Sequence, residues 1–117
     1  MRLARVVNVT TGETLAARAE VAESFFDRFM GLQGRADLPV GSGLILAPTS
    51  SIHMFFMRFP IDAVFVDSAW RVTKVGRRLR PWSVGPFAPG ALYCVELPAG
   101  AAERTQQGHT VELRPIE

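Results

Sequence analysis

The sequence predicts a single, mainly β domain, a compact β-sandwich or barrel-like arrangement with one or two short helices. Three observations carry that prediction. Seven or eight short runs rich in β-branched and aromatic residues are separated by breaks containing Gly, Pro and Ser, the pattern of a sandwich or barrel. A chain of 117 residues can bury roughly two thirds of the surface it exposes when unfolded, so 1–117 reads as one domain that needs no disulfide or metal to fold. Hydrophobic content of 48% with 21% charged residues is that of an ordinary globular protein.

The elements follow in order. Leu3 to Val9 is rich in β-branched residues, Thr10-Thr11-Gly12 makes a turn, and Glu13 to Val21 resumes with partial alternation, which predicts a hairpin across Thr10 to Glu13. Ser24 with Asp27 three positions on has capping-box spacing, and Phe25, Phe26, Phe29 and Met30 recur at helical intervals. A short helix is therefore predicted over Phe25 to Leu32. Arg35 to Ser42 reads as a loop into Gly43 to Ala47, where the unbroken Leu44-Ile45-Leu46 suits a strand covered on both faces.

Ile52 to Asp67 is the stretch around which the chain is organised. Apart from His53, Arg58, Asp62 and Asp67 it is apolar or proline. Ile52 to Phe59 is predicted as a strand with His53 and Met57 on one face and Met54 and Arg58 on the other. Pro60 forces a bend before a second strand from Ile61 to Asp67. Asp67-Ser68-Ala69-Trp70 lacks the Gly or Asn of a two-residue mirror-image turn, so a longer type I connection should lead into Arg71 to Val75. Gly76 marks a candidate bulge, and Arg77 to Arg80 continues to Pro81. Three prolines and two glycines make 81–90 irregular. Ala91 to Leu97 is a strand, Pro98 to Gln107 a short helix stopped by Gly108, and Val111 to Leu113 the closing strand.

Composition narrows the partners. Thirteen Lys plus Arg against eleven Asp plus Glu leave a net charge of +2, so global charge is a weak argument for an anionic partner. Its distribution says more: no acidic residue falls between Asp67 and Glu96, while Arg71, Lys74, Arg77, Arg78 and Arg80 all do. No apolar run is long enough to span a bilayer, and the amino terminus lacks the pattern of a secretory signal. The expectation is a cytoplasmic protein without a membrane partner. Cys94, the only cysteine, allows neither an internal disulfide nor a Cys-based zinc cluster.

RFMGLQGRADLPVGSGLIL, HMFFMRFPIDAVFVD, a loop containing Pro81-Trp82, and VELPAG together resemble the bacterial and archaeal family called domain of unknown function 192, over essentially the whole chain. The resemblance implies a compact, mainly β domain of jelly-roll-like type. It carries no accepted catalytic residues. Phe56 and Phe59 stand where many relatives have Trp and Asn, Gln33 where Met is common, and Trp70 where the turn usually has Gly.

Three functions compete. The first is a ligand-binding or accessory module for a small molecule or carbohydrate, with a cleft near the 52–67 strand pair and the 81–90 loop rimmed by His53, Arg58, Asp62 and Trp82. The second is a nucleic-acid or protein interaction module using the basic residues of 71–82 with Trp82 as a stacking platform. The third is a hydrolase using Asp62 or Glu96, which as a pair would need to stand about 5 to 10 Å apart across a cleft.

Against each stands a plainer reading. Asp62, with Arg58 or Arg28, and Glu96 read first as structural ion pairs, because a buried charge mainly needs a partner and no nucleophile accompanies them. His53, Met54 and Met57 suggest a soft metal, but strand alternation separates Met54 from the other two, and no metal site or cofactor is predicted. Cys94, mid-strand and apolar in context, reads as an inert thiol.

Overall fold

The computed structural model describes residues 2–22, 35–49, 51–54 and 57–116. The helix expected over Phe25 to Leu32 lies outside these residues. Nine strands are found among the described residues: β1 (Arg2–Asn8), β2 (Glu13–Ala22), β3 (Ser42–Leu46), β4 (Ser51–His53), β5 (Ile61–Val66), β6 (Val72–Leu79), β7 (Val84–Phe87), β8 (Tyr93–Pro98) and β9 (Val111–Ile116). Seven form one sheet in the order β6-β5-β8-β3-β2-β1-β9, and β4 pairs with β7 as a separate two-stranded ribbon. All neighbouring pairs are antiparallel except β2 with β3.

The large sheet curls until its two edges touch at one end. Arg71 and Thr110 form a single bridge between them, supported by hydrogen bonds from the Val72 N–H to the His109 carbonyl and from the Gly108 N–H to the Val72 carbonyl, both 2.8 Å. Past that bridge the edges separate, so the mainly β expectation holds but the sheet is not closed into a barrel.

Period-2 alternation gives the sheet two buried faces. The inner one draws a side chain from each of the seven strands, among them Val6, Ala19, Ile45, Val64, Val95, Val72 and Val111. The outer one, on β3, β8 and β5, holds Leu44, Leu46, Cys94, Ile61, Ala63 and Phe65, covered by Met54, Met57, Leu38 and Ala88. Double coverage explains the unbroken apolar runs at 44–46 and 61–66.

The hairpin at Thr10 to Glu13 forms as expected, with Gly12 at φ +80° and its N–H on the Asn8 carbonyl. The Asp67–Arg71 connection is the longer kind: the Trp70 N–H closes on the Asp67 carbonyl at 3.0 Å, and the Asp67 carboxylate accepts the Ala69 and Arg71 N–H groups. Trp70 adopts φ +62°, in the left-handed region that favours glycine. Its indole stacks on Tyr93 with ring centroids 4.4 Å apart, a contact that offsets the backbone cost.

Three expectations need correcting. Pro98 to Gln107 is not a helix. Pro98 still pairs with Ile61 in the sheet, and Gly100 turns the chain at φ +94°. The segment then becomes successive four-residue turns, with the Ala101, Glu103 and Thr105 N–H groups on the carbonyls of Pro98, Gly100 and Ala102. Ile52 to Phe59 is not one strand either. Strand β4 ends at His53, and the chain turns so that Met54 and Met57 are buried in the same cluster rather than on opposite faces. Lastly, 81–90 is not wholly irregular, since Val84–Phe87 pairs with Ser51–His53. A Cβ on Gly85 would run into the Ile52 carbonyl oxygen, so only glycine lets these two backbones approach.

Candidate functional site

The two buried carboxylates part company at once. On β8, Cys94 and Glu96 point to the outer face, whereas Val95 and Leu97 point inward. On β5, Asp62 lies opposite Leu97 and Ala63 opposite Glu96. Asp62 therefore leaves the sheet on the inner side and Glu96 on the outer side. They cannot flank one scissile bond, which is the arrangement the two-carboxylate hydrolase requires.

Asp62 is completely buried and its oxygens are occupied. Oδ1 accepts the Arg78 N–H at 2.9 Å, and Oδ2 accepts those of Gly100 at 3.0 Å and Ala102 at 2.9 Å. One carboxylate thus ties the irregular point of β6, where Arg78 sits at φ +48°, to the turn that follows β8. Three backbone donors on a buried carboxylate are what satisfies its charge. Arg58, its expected companion, is exposed on the bend before β5, and Arg28 lies outside the described residues.

Glu96 has quite different surroundings. It is 4% exposed and sits in register between Leu44 of β3 and Ala63 of β5, on the face shared with Cys94 and Phe65. Burial pushes its carboxyl up to about 7, and the Arg35 guanidinium only partly opposes that shift. Arg35 itself gives its hydrogen bond to Glu20 at 3.0 Å, half exposed at the margin of the face. Cys94, on the same face, is raised well above the usual thiol range by burial and then by Glu96, which makes it a poor nucleophile.

Of the four rim candidates, His53 and Trp82 come together through the backbone. His53 pairs with Val84, and the Met54 carbonyl accepts the Trp82 N–H at 2.7 Å. Trp82 is largely exposed, Arg58 is exposed, and Asp62 belongs to the opposite face, so the cleft does not assemble as expected.

The basic group disperses too. Arg77 donates to the Thr105 carbonyl, Arg78 pairs with Glu103 at 2.8 Å, and Lys74 donates to the Phe87 carbonyl at 3.3 Å. Arg71 and Arg80 are exposed.

Sequence reasoning missed two features. Asn8 is fully buried: its Nδ2 donates to Thr105 Oγ1 and to His109 Nδ1, both at 3.1 Å, and its Oδ1 accepts the Thr10 and Thr11 N–H groups. The Gln106 N–H also points at His109 Nδ1, so that nitrogen is an acceptor and the ring proton sits on Nε2. Asn8 before Thr-Thr-Gly signals a turn, but nothing local announces partners about a hundred positions away. Arg35 likewise carries no local signal beyond that of a loop. A cavity of about 360 Å³ lies at the far end of the sheet between β1, β2 and β9, lined by Leu3, Val21, Leu113 and Ile116 among others. Among the described residues no three His, Cys, Asp or Glu side chains gather as a metal site.

The curled sheet with its covering ribbon defines a small, mainly β domain of a kind already seen in solved structures. A protein of unknown function from Novosphingobium aromaticivorans superposes with a TM-score of 0.77 at 25% identity, covering 94% of this chain and 83% of that one. A Sinorhizobium meliloti protein gives 0.81 at 21% identity, covering 96% and 92%, which shows the fold alone. The chain belongs to the domain of unknown function 192 family, uncharacterized ACR, whose model matches residues 6–113.

Curated relatives are UPF0127 proteins. One from Thermococcus sibiricus is 35% identical over 102 residues, 84% of this chain but 66% of its own length, just under two thirds. One from Pyrococcus horikoshii is 32% identical over 103 residues, 84% of this chain and 87% of its own. No helix among the described residues is long and apolar enough to cross a membrane.

Proposed function

We propose that this is a small-molecule-binding domain whose ligand enters the outer face of β3, β8 and β5 from the margin held by half-exposed Arg35 and Glu20, displacing part of the cover of Met54, Met57, Leu38 and Ala88, with Glu96 as its polar anchor. The observation that supports it is the position of Glu96: a carboxyl kept 4% exposed in the middle of an apolar face, with its protonation moved to about 7. The sheet could be built there with an apolar residue at lower desolvation cost. Asp62 has evident structural work in its three backbone donors; Glu96, beside Leu44, Ala63 and Cys94, has no comparable set of donors among the described residues.

A carboxyl poised near neutrality in such a setting can donate a hydrogen bond when protonated or face a cation when ionised. The ligand that suits it is compact and mainly apolar, with one amine or hydroxyl to meet the carboxyl. A carbohydrate, polar all round, suits this face less well than the ribbon side where Trp82 stands.

The test is a thermal-shift screen of amines, alcohols, sugars and nucleotides on the wild type and Glu96→Gln, with backbone chemical-shift mapping of any hit. A ligand at a hundred times its dissociation constant stabilises by about 2.7 kcal/mol. The reading requires hits that perturb Leu44, Ala63 and Cys94 and weaken in the variant. Hits that map to the cavity at Leu3, Val21 and Ile116, and bind both proteins alike, would overturn it.

A further inference from the structure

Six large hydrophobic residues are exposed among the described residues, and three of them, Trp82 at 61%, Val84 at 79% and Phe87 at 61%, fall within six positions on the β7 ribbon and the turn before it. Three large apolar residues left this exposed so close together in the chain make the ribbon the leading contact surface. The turn adds an independent sign. Arg80-Pro81-Trp82-Ser83 closes with the Ser83 N–H on the Arg80 carbonyl at 3.4 Å, Pro81 in second place and Trp82 in third at φ +65°. That is the type II signature, in which the third residue is ordinarily Gly or Asn. A tryptophan is held at a position that strains it, with its indole mostly in water, and strain of this kind collects at binding sites.

The flanks indicate the partner's charge. Exposed Lys74 stands at the Phe87 end and exposed Arg80 at the Trp82 end, and no carboxylate occurs from Ser68 to Val95. A second copy of this chain would set these cations against each other. Single-stranded nucleic acid would need a track of cations, but Arg77 and Arg78 are directed to Thr105 and Glu103. Val84, the most exposed of the three, has no ring to stack on a base. Aromatic and aliphatic tips flanked by Lys and Arg instead match the interface of a bilayer, where indoles settle at the headgroups and cations meet anionic lipid.

We propose that the Trp82–Phe87 ribbon docks on an anionic membrane surface. This is peripheral contact, so it needs none of the long apolar run whose lack led the sequence reading to expect no membrane partner.

The test is co-sedimentation with phosphatidylcholine vesicles, with and without phosphatidylglycerol, scored also by a blue shift of tryptophan emission that is present in the wild type and absent in Trp82→Gly, which keeps Trp70. Trp82→Gly relaxes the turn, so the variant should melt at or above the wild-type temperature and lose vesicle binding. Lys74→Ser with Arg80→Ser should weaken binding to the anionic vesicles roughly 25-fold, about fivefold per cation, and leave the residual binding indifferent to lipid charge. The proposal is overturned if the wild type ignores both vesicle types or binds oligo(dT) instead. It is overturned equally if Trp82→Gly melts lower yet still sediments with vesicles, because Trp82 would then be structural.

Discussion

Replacing Glu96 by Gln should change how stability depends on pH more than it changes stability itself. In the folded chain the Glu96 carboxyl titrates at about 7, against an ordinary value of 4.5. Below pH 4.5 both folded and unfolded chains carry the proton, and the buried neutral carboxyl is no burden. Between 4.5 and 7 the unfolded chain releases its proton while the folded one keeps it, so rising pH favours unfolding. At 1.36 kcal/mol per unit, a gap of that size amounts to about 3 kcal/mol, lost progressively up to pH 7 and constant above it. The glutamine amide of the variant cannot titrate, and the other carboxylates are common to both proteins and cancel in the difference.

The wild-type stability minus that of Glu96→Gln should therefore fall by about 3 kcal/mol between pH 4.5 and pH 8. In a chain of this size that is roughly 12 °C in the difference between melting temperatures. Urea unfolding of both proteins across that range measures it directly. A difference independent of pH would mean that the Glu96 carboxyl titrates alike in the folded and unfolded chains, and one that rises with pH would mean that Arg35 holds it ionised; either result would remove burial as the controlling influence on Glu96.

Three further outcomes follow from the packing. Asp62→Asn puts an amide N–H₂ where one carboxylate oxygen now accepts backbone N–H groups from Arg78 or from Gly100 and Ala102. It should cost on the order of 3 kcal/mol, and hydrogen exchange should speed up at those three amides before it does elsewhere. Asn8→Ala strands the Thr10 and Thr11 N–H groups and removes the donor to Thr105 and His109, for a loss of about 2 kcal/mol seen in chemical denaturation. Gly85→Ala drives a methyl into the Ile52 carbonyl and should part β4 from β7, lowering stability by about 1 to 3 kcal/mol. Amide exchange should then rise at Ser51 and Phe87 while β5 and β8 remain protected.

The elements legible in the sequence were those whose signal is local. Leu44-Ile45-Leu46 and Ile61 to Val66 read as strands because burial on both faces leaves an unbroken apolar run, and the Thr10 to Glu13 turn because Gly12 supplies the positive φ. The Pro98 to Gln107 segment misled because Pro98 and the following alanines imitate a helix start, while the groups that prevent it come from elsewhere. Asp62, about forty positions away, takes the Gly100 and Ala102 N–H groups, and Ile61 keeps Pro98 in the sheet.

Both buried carboxylates were recognisable as candidates, since each stands in an apolar run. Their separation onto opposite faces depends on the pairing of β5 with β8, which no single strand specifies. Likewise the row of arginines in 71–80 is plain in the sequence, but not that Arg77 and Arg78 are directed to the turn at 103–105.

The measurement that bears most directly on the account is the ¹³C NMR titration of the Glu96 side-chain carboxyl in the wild-type protein. A midpoint near 7 is the expected result, because the account depends on a carboxyl that burial among Leu44, Ala63 and Cys94 keeps protonated at mildly acidic pH. A midpoint at the ordinary carboxylate value would contradict it, leaving Glu96 a solvated or ion-paired structural residue and the outer face without its anchor.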